Sequence, residues 1–284
     1  MKLAMSNIAW PPEQARAAYE LLARHGATGL EIAPGLAFAD SADPMAPEAQ
    51  AITRFAAQRA EFGLELVSMQ SLLFGVEGAQ LFGTADERAA FATAMTRAID
   101  LAARLGVPNL VFGSPRQRSF PAAISPTEAC EQAAETFRHL GDRAAAAGTL
   151  LAIEPNPTAY GTNFLNTVAE TARFVAEVNH PAITLNFDIG ALIANGETDA
   201  IPAIWHAANG RISHVHISEP ALAPAPADPA LLTRIAAALT ELGYQGWFSI
   251  EMRQPPSDAL AEADTRLGLA AAALAPLMRS RHAQ

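Results

Sequence analysis

Short apolar runs alternate along the chain with longer stretches in which alanine, leucine and charged residues recur at helical spacing. The runs are Leu3–Asn7, Gly29–Ala33, Leu64–Gln70, Val107–Gly113, Leu150–Glu154, Ile183–Asp188, Ile212–Ile217 and Trp247–Glu251. Helical stretches lie between and after them, near 12–25, 47–62, 85–105, 127–147, 167–178, 197–208, 228–242 and 258–277. The runs are continuously apolar rather than alternating, the pattern of strands buried on both faces and therefore of a parallel sheet. Glycines at 26, 63, 106, 148 and 243 mark helix ends, where a left-handed residue closes the last turn. Helix starts carry proline and acid, as in Pro11-Pro12-Glu13, Pro47-Glu48, Ser125-Pro126-Thr127-Glu128 and Pro256-Ser257-Asp258. Eight strand–helix alternations predict an α/β fold, a closed (β/α)8 barrel of the TIM type. An open doubly wound sheet is the alternative, but no glycine-rich phosphate loop follows the first run.

The 284 residues suit one barrel domain spanning 1–284, since no linker interrupts them. The alanine/proline segment from Pro220 to Pro229 reads as a stiff loop following the seventh strand. Half the residues are hydrophobic, enough for a large core, yet no apolar run approaches membrane-spanning length. The N-terminal residues lack the apolar stretch of a signal peptide, so a cytoplasmic protein without a membrane partner is expected. One cysteine, Cys130, excludes an internal disulfide framework. A formal charge of −10 argues against a nucleic-acid partner, which calls for clustered cations.

The last four strands change the picture. The fifth ends at Glu154, the sixth at Asp188 and the eighth at Glu251, while the seventh carries His214-Val215-His216. The intervals Glu154 to Asp188, Asp188 to His216 and His216 to Glu251 are 34, 28 and 35 residues, each about one strand–helix unit. In a barrel such residues share the face where active sites are built. Three carboxylates so placed repel one another unless a cation neutralises them. A divalent ion held by Glu154, Asp188, His216 and Glu251 is therefore expected. An oxygen-rich set with one imidazole suits Mn2+, Mg2+ or Co2+, with Zn2+ also accommodated.

The segments Ala152-Ile153-Glu154-Pro155-Asn156-Pro157, Asn186-Phe187-Asp188-Ile189-Gly190, Ser213-His214-Val215-His216-Ile217 and Ser249-Ile250-Glu251-Met252 resemble the xylose isomerase-like barrel superfamily. Within it they are similar to the sugar phosphate isomerase/epimerase group, to which D-tagatose 3-epimerase and inosose dehydratase belong. Gly29-Leu30-Glu31-Ile32 matches that group's second strand. The resemblance implies an isomerase or epimerase of a small sugar or keto-sugar. Glu154 and Glu251 would serve both as ligands and as the pair that removes and returns a proton beside a metal-bound carbonyl. Loss of a β-hydroxyl from the same site would instead give an inosose or keto-sugar dehydratase. Dimers or tetramers are also implied. Two further readings are an endonuclease IV-like DNA-repair enzyme, which needs a richer histidine set, and a barrel that binds a metabolite without turning it over.

Around the ligands, Glu31, Asn156, His214, Glu219 and Arg253 are candidate substrate-site residues. Glu31 could equally form an internal ion pair, and Glu219 and Arg253 could form salt bridges. His214 lies on the same strand face as His216 and could stand one layer deeper. Trp10, Phe74, Tyr160 and Trp247 are candidate walls for a sugar or packing residues, and Ser114–Arg118 is the one compact basic loop. The epimerases place a histidine and an arginine where this chain has Ala191 and Leu222, which argues against a plain free-ketose 3-epimerase.

Overall fold

The computed structural model describes residues 1–279. Eight parallel strands are hydrogen-bonded in sequential order into a closed barrel. They are β1 (Lys2–Ser6), β2 (Gly29–Ile32), β3 (Glu65–Met69), β4 (Asn109–Phe112), β5 (Leu150–Ile153), β6 (Ile183–Asp188), β7 (Ile212–Ile217) and β8 (Trp247–Ile250). The helices are α1 (Ala15–Arg24), α2 (Pro34–Ala37), α3 (Ala49–Ala60), α4 (Ala85–Leu105), α5 (Pro126–Ala146), α6 (Val168–Val178), α7 (Ile189–Ala194), α8 (Ile201–Ala207), α9 (Pro229–Glu241) and α10 (Ala259–Arg279). Each apolar run is a strand; β1 is shifted by one residue, β6 and β7 have the expected bounds, and the others are shorter than expected by one to three residues.

All five predicted helix-closing glycines have positive φ. Gly106, at φ 68°, caps α4 and donates its N–H to the Ala102 carbonyl, a geometry that side chains with a Cβ resist. Ser125 opens α5 with a reciprocal box: Glu128 N–H donates to the Ser125 hydroxyl, and Ser125 N–H donates to the Glu128 carboxylate. The same device at Thr84 and Glu87 opens α4. Two helices were not anticipated, α2 and α7. Both are short apolar segments that follow a strand directly, so periodicity could not separate them from it. For α7 a signal did exist, because Asp188 is a favoured capping residue and its side chain accepts the Ala191 N–H at 2.6 Å.

The chain divides into two compact units. The first comprises residues Met1–Val67, Asp188–Pro202 and His214 onward; the second comprises Ser68–Phe187 and Ala203–Ser213. In the first, β1 pairs with β2 and with β8, and β8 pairs with β7 in the register His216↔Ser249. Its buried core includes Met5, Leu30, Ile32, Phe248 and Leu267. In the second, β4 pairs with β5 and β5 with β6. A chain of phenylalanines links its elements: Phe91–Phe112, Phe112–Phe137, Phe137–Phe174, Phe174–Phe164 and Phe164–Phe82 stand 5.0–5.8 Å apart between ring centres, edge-on in all but the tilted Phe112–Phe137 pair. Among the described residues, no helix is long and apolar enough to cross a membrane.

Candidate active site

In the first unit, β6, β7 and β8 deliver Asp188, His216 and Glu251 to one place. Asp188 is the last residue of β6, and His216 lies within β7. Glu251 follows β8 by one residue, its N–H still bonded to the Ile217 carbonyl at 2.9 Å, so the ladder fixes where its side chain begins. His216 Nδ1 is 3.2 Å from Glu251 Oε2 and 3.8 Å from Asp188 Oδ2. Ligand atoms of the three lie within 4.8 Å of one another. His216 is closed to solvent, whereas Asp188 and Glu251 keep 8% and 6% exposure, so the carboxylates form the accessible edge.

Asp188 is held through both oxygens. Oδ1 accepts the Ala191 N–H, and Oδ2 accepts the Ser218 hydroxyl at 2.6 Å. The Ser218 oxygen in turn accepts the Gly190 N–H at 2.8 Å. A carboxylate fastened twice has little freedom to turn, which suits a fixed ligand.

Behind His216 lies Glu31, on β2. Its Oε2 is 3.1 Å from His216 Nε2 and 2.9 Å from His214 Nε2, and all three side chains are essentially inaccessible. Burial pushes the Glu31 carboxyl upward, but the charges and hydrogen bonds of His216 and His214 prevail and hold it well below the usual carboxylate range. Glu31 thus stands against both imidazoles, closed to solvent.

In the second unit, Glu154 follows β5 by one residue, and its N–H donates to the Phe112 carbonyl at 3.0 Å. Asn186, on β6, donates its amide to Glu154 Oε1 at 2.8 Å. Gly113 makes room for this carboxylate, because a Cβ there would collide with Glu154 Oε2. Asn156 donates its side-chain amide to the Glu154 carbonyl at 3.4 Å.

Arg118 has a role that the basic loop did not announce. It belongs to the basic loop, yet it is fully buried. Its guanidinium donates to the backbone carbonyls of Glu154 at 2.7 Å and Leu165 at 2.9 Å, pinning the segment after β5. Burial lowers its pKa to about 10, with the charges of Glu154 and Glu170 opposing, so it stays cationic at neutral pH. Charge patterning alone could not distinguish this buried clamp from a solvated arginine.

The remaining candidates are dispersed. Glu219 spends Oε1 on the Ala227 N–H at 2.8 Å, closing the loop after β7. Arg253 is exposed, and its backbone N–H donates to the Leu222 carbonyl. Ala221 and Leu222 are both left-handed, at φ 60° and 56°. Two successive strained residues mark this as a specially built turn, a feature no side-chain pattern announced. Trp10 is buried edge-on to Tyr19, whereas Phe74 is 87% exposed. Trp247 begins β8, at the end opposite Glu251, where Lys2 covers its ring; it is a packing residue rather than a site wall.

Residues 19–271 match the family described as xylose isomerase-like TIM barrel, and the chain belongs to that family. No curated protein matches the sequence significantly. Among solved structures, 3-keto-D-glucoside 4-epimerase YcjR from E. coli superposes with a TM-score of 0.68 at 20% identity, over 98% of this chain and 99% of that one. D-psicose 3-epimerase from Clostridium cellulolyticum H10, crystallised with D-tagatose, gives 0.72 at 20% identity, with 97% of each chain covered. An L-ribulose 3-epimerase gives 0.72 at 21%, with 99% of each covered. At these identities the likeness establishes the barrel fold.

Proposed function

We propose that this protein is a divalent-metal-dependent isomerase or epimerase of a small sugar or keto-sugar. The observation that carries the reading is the convergence of Asp188 and Glu251 on His216 Nδ1, in a chain of the xylose isomerase-like family. With Nε2 donating to Glu31, Nδ1 turns a lone pair toward two carboxylates, an arrangement that is repulsive until a cation enters. The donor set thus fits a metal ion. Glu154 is proposed as the fourth ligand, and Mn2+, Mg2+ or Co2+ as the ion, with Zn2+ also compatible. When bound, such an ion polarises a substrate carbonyl and offsets the charge that develops as the neighbouring proton leaves.

The chain's own residues would then move the proton. One of Glu154 and Glu251 takes it from the carbon beside the carbonyl, and the other returns one. Return to the opposite face of the same carbon gives an epimer; return to the former carbonyl carbon gives an aldose–ketose isomer. Asn156 and Arg253 are proposed to contact substrate oxygens, and Glu219 to shape the loop beside them. Glu31 and His214, both buried, are proposed to support His216 rather than touch substrate. Ala191 and Leu222 supply no polar group, which favours a modified sugar over a free ketose, and the likeness to a 3-keto-glucoside epimerase supports including such compounds in the test.

Purified protein loaded with Mn2+ and incubated in deuterated water with ketoses, inososes and 3-keto-glucosides should incorporate deuterium at one carbon, read by NMR. Loss of water from the substrate would make the chain a dehydratase. Absence of bound metal, together with unchanged behaviour of Glu154→Gln and Glu251→Gln, would rule out the catalytic reading.

A further inference from the structure

An imidazole offers a metal only one lone pair, and its tautomer decides which nitrogen carries it. The set Asp188, His216 and Glu251 therefore works only if His216 presents Nδ1 without a proton. The tautomer is set by what the other nitrogen meets, and Nε2 meets Glu31 at 3.1 Å in a site closed to solvent. An ionised carboxylate only accepts hydrogen bonds, so the proton belongs on Nε2.

We infer that Glu31 is a positioning residue that locks His216 in the Nε2–H tautomer, with His214 as the clamp that holds Glu31 in place. This rests on the proposed assignment of His216 as a ligand. His214 Nε2 reaches the same oxygen, Oε2, at 2.9 Å, and the two rings stand edge to face at 84° with centres 5.3 Å apart. Both imidazoles of one strand thus close on a single oxygen, His216 through a hydrogen bond and His214 through close polar contact. Swinging it away would strand the His216 N–H and leave His214 Nε2 without its nearest acceptor in a dry interior, which is costly. Glu31 is on β2 and the histidines on β7, and these strands are not neighbours in the sheet order, so the carboxylate reaches across the interior. Such outer carboxylates orient metal-bound histidines and raise their basicity.

The test uses metal-free full-length protein with 15N-labelled histidine, at alkaline pH where imidazoles are neutral, read by long-range proton–nitrogen correlation. In the wild type, His216 should show an unprotonated Nδ1 and a protonated Nε2. In Glu31→Ala the two tautomers should mix, and calorimetric Mn2+ affinity should fall about 10–100-fold. Glu31→Gln, which keeps an acceptor oxygen and covers the case where Glu31→Ala fails to fold, should retain more of both. One ion should bind per chain throughout. A protonated Nδ1 in the wild type, a variant tautomer and Mn2+ affinity unchanged while the melting temperature drops, or a second ion bound among Glu31, His214 and His216 would each overturn the inference. A wild-type protein that binds no Mn2+ yet shows the fixed tautomer would instead defeat the ligand assignment.

Discussion

The two carboxylates that best contrast are Asp188 and Glu154, each placed by the end of a barrel strand and each restrained differently. Asp188 is gripped on both oxygens, by the Ala191 N–H and the Ser218 hydroxyl, in a neighbourhood organised by charge: His216, Glu251 and beyond them Glu31 with His214. Glu154 takes a neutral amide from Asn186 on Oε1, while the strong cationic hold, from Arg118, falls on its backbone carbonyl. Charge fixes a side chain in the first case and a loop in the second. A ligand that must not move suits the first arrangement. A group that must change its protonation suits the second, because a neutral amide contact survives protonation of the acid.

The sharpest way to break this contrast is Glu154→Gln. Gln keeps an oxygen for the Asn186 amide but cannot accept a proton. Deuterium exchange into substrate should fall about 10³-fold, roughly 4 kcal/mol in barrier, while Mn2+ affinity measured by calorimetry falls less than in Asp188→Asn. Equal losses of metal in the two variants would erase the distinction.

Removing the loop clamp comes next. Arg118→Met removes the charged donor from two buried carbonyls, each of which keeps a contact from Asn156, and should cost about 2 kcal/mol of stability, read from urea denaturation at constant slope. The loss should be larger than for any single change around Asp188, since there each donor is a single neutral group. A third test moves Glu154 without altering it. Gly113→Ala places a methyl against Oε2, and a displacement near 1 Å should lower exchange about 10²-fold with the fold intact by circular dichroism. Retained exchange would show that the Glu154 position is not critical.

How much of this was legible beforehand follows from physical range. Strand ends were readable because a doubly buried strand is a continuous apolar run, and a charged residue closing such a run stands out. Asp188 and Glu251 therefore declared themselves. The Glu31–His214–His216 trio did not, since Glu31 and His216 are 185 residues apart and only barrel closure brings β2 and β7 into reach. The clamp formed by Arg118 was not legible, because the sequence of a basic loop does not show which of its cations is buried. Helix α7 was hidden because IGALIA continues the apolar run of β6.

The smallest expected effect probes the restraint on Asp188 itself. Ser218→Ala removes the hydroxyl that donates to Oδ2 and accepts from Gly190, but leaves the Ala191 N–H on Oδ1. The carboxylate then loses one of its two fastenings, so Mn2+ affinity should drop about tenfold. The Gly190 N–H, buried and deprived of its acceptor, should add a modest loss of stability of about 1 kcal/mol. Thr at 218 restores the hydroxyl and should recover the affinity if the methyl is accommodated beside Gly190. If affinity stays at the wild-type value in Ser218→Ala while stability falls, the double grip on Asp188 serves the start of α7 rather than the ligand, and the two carboxylates are more alike than their surroundings suggest.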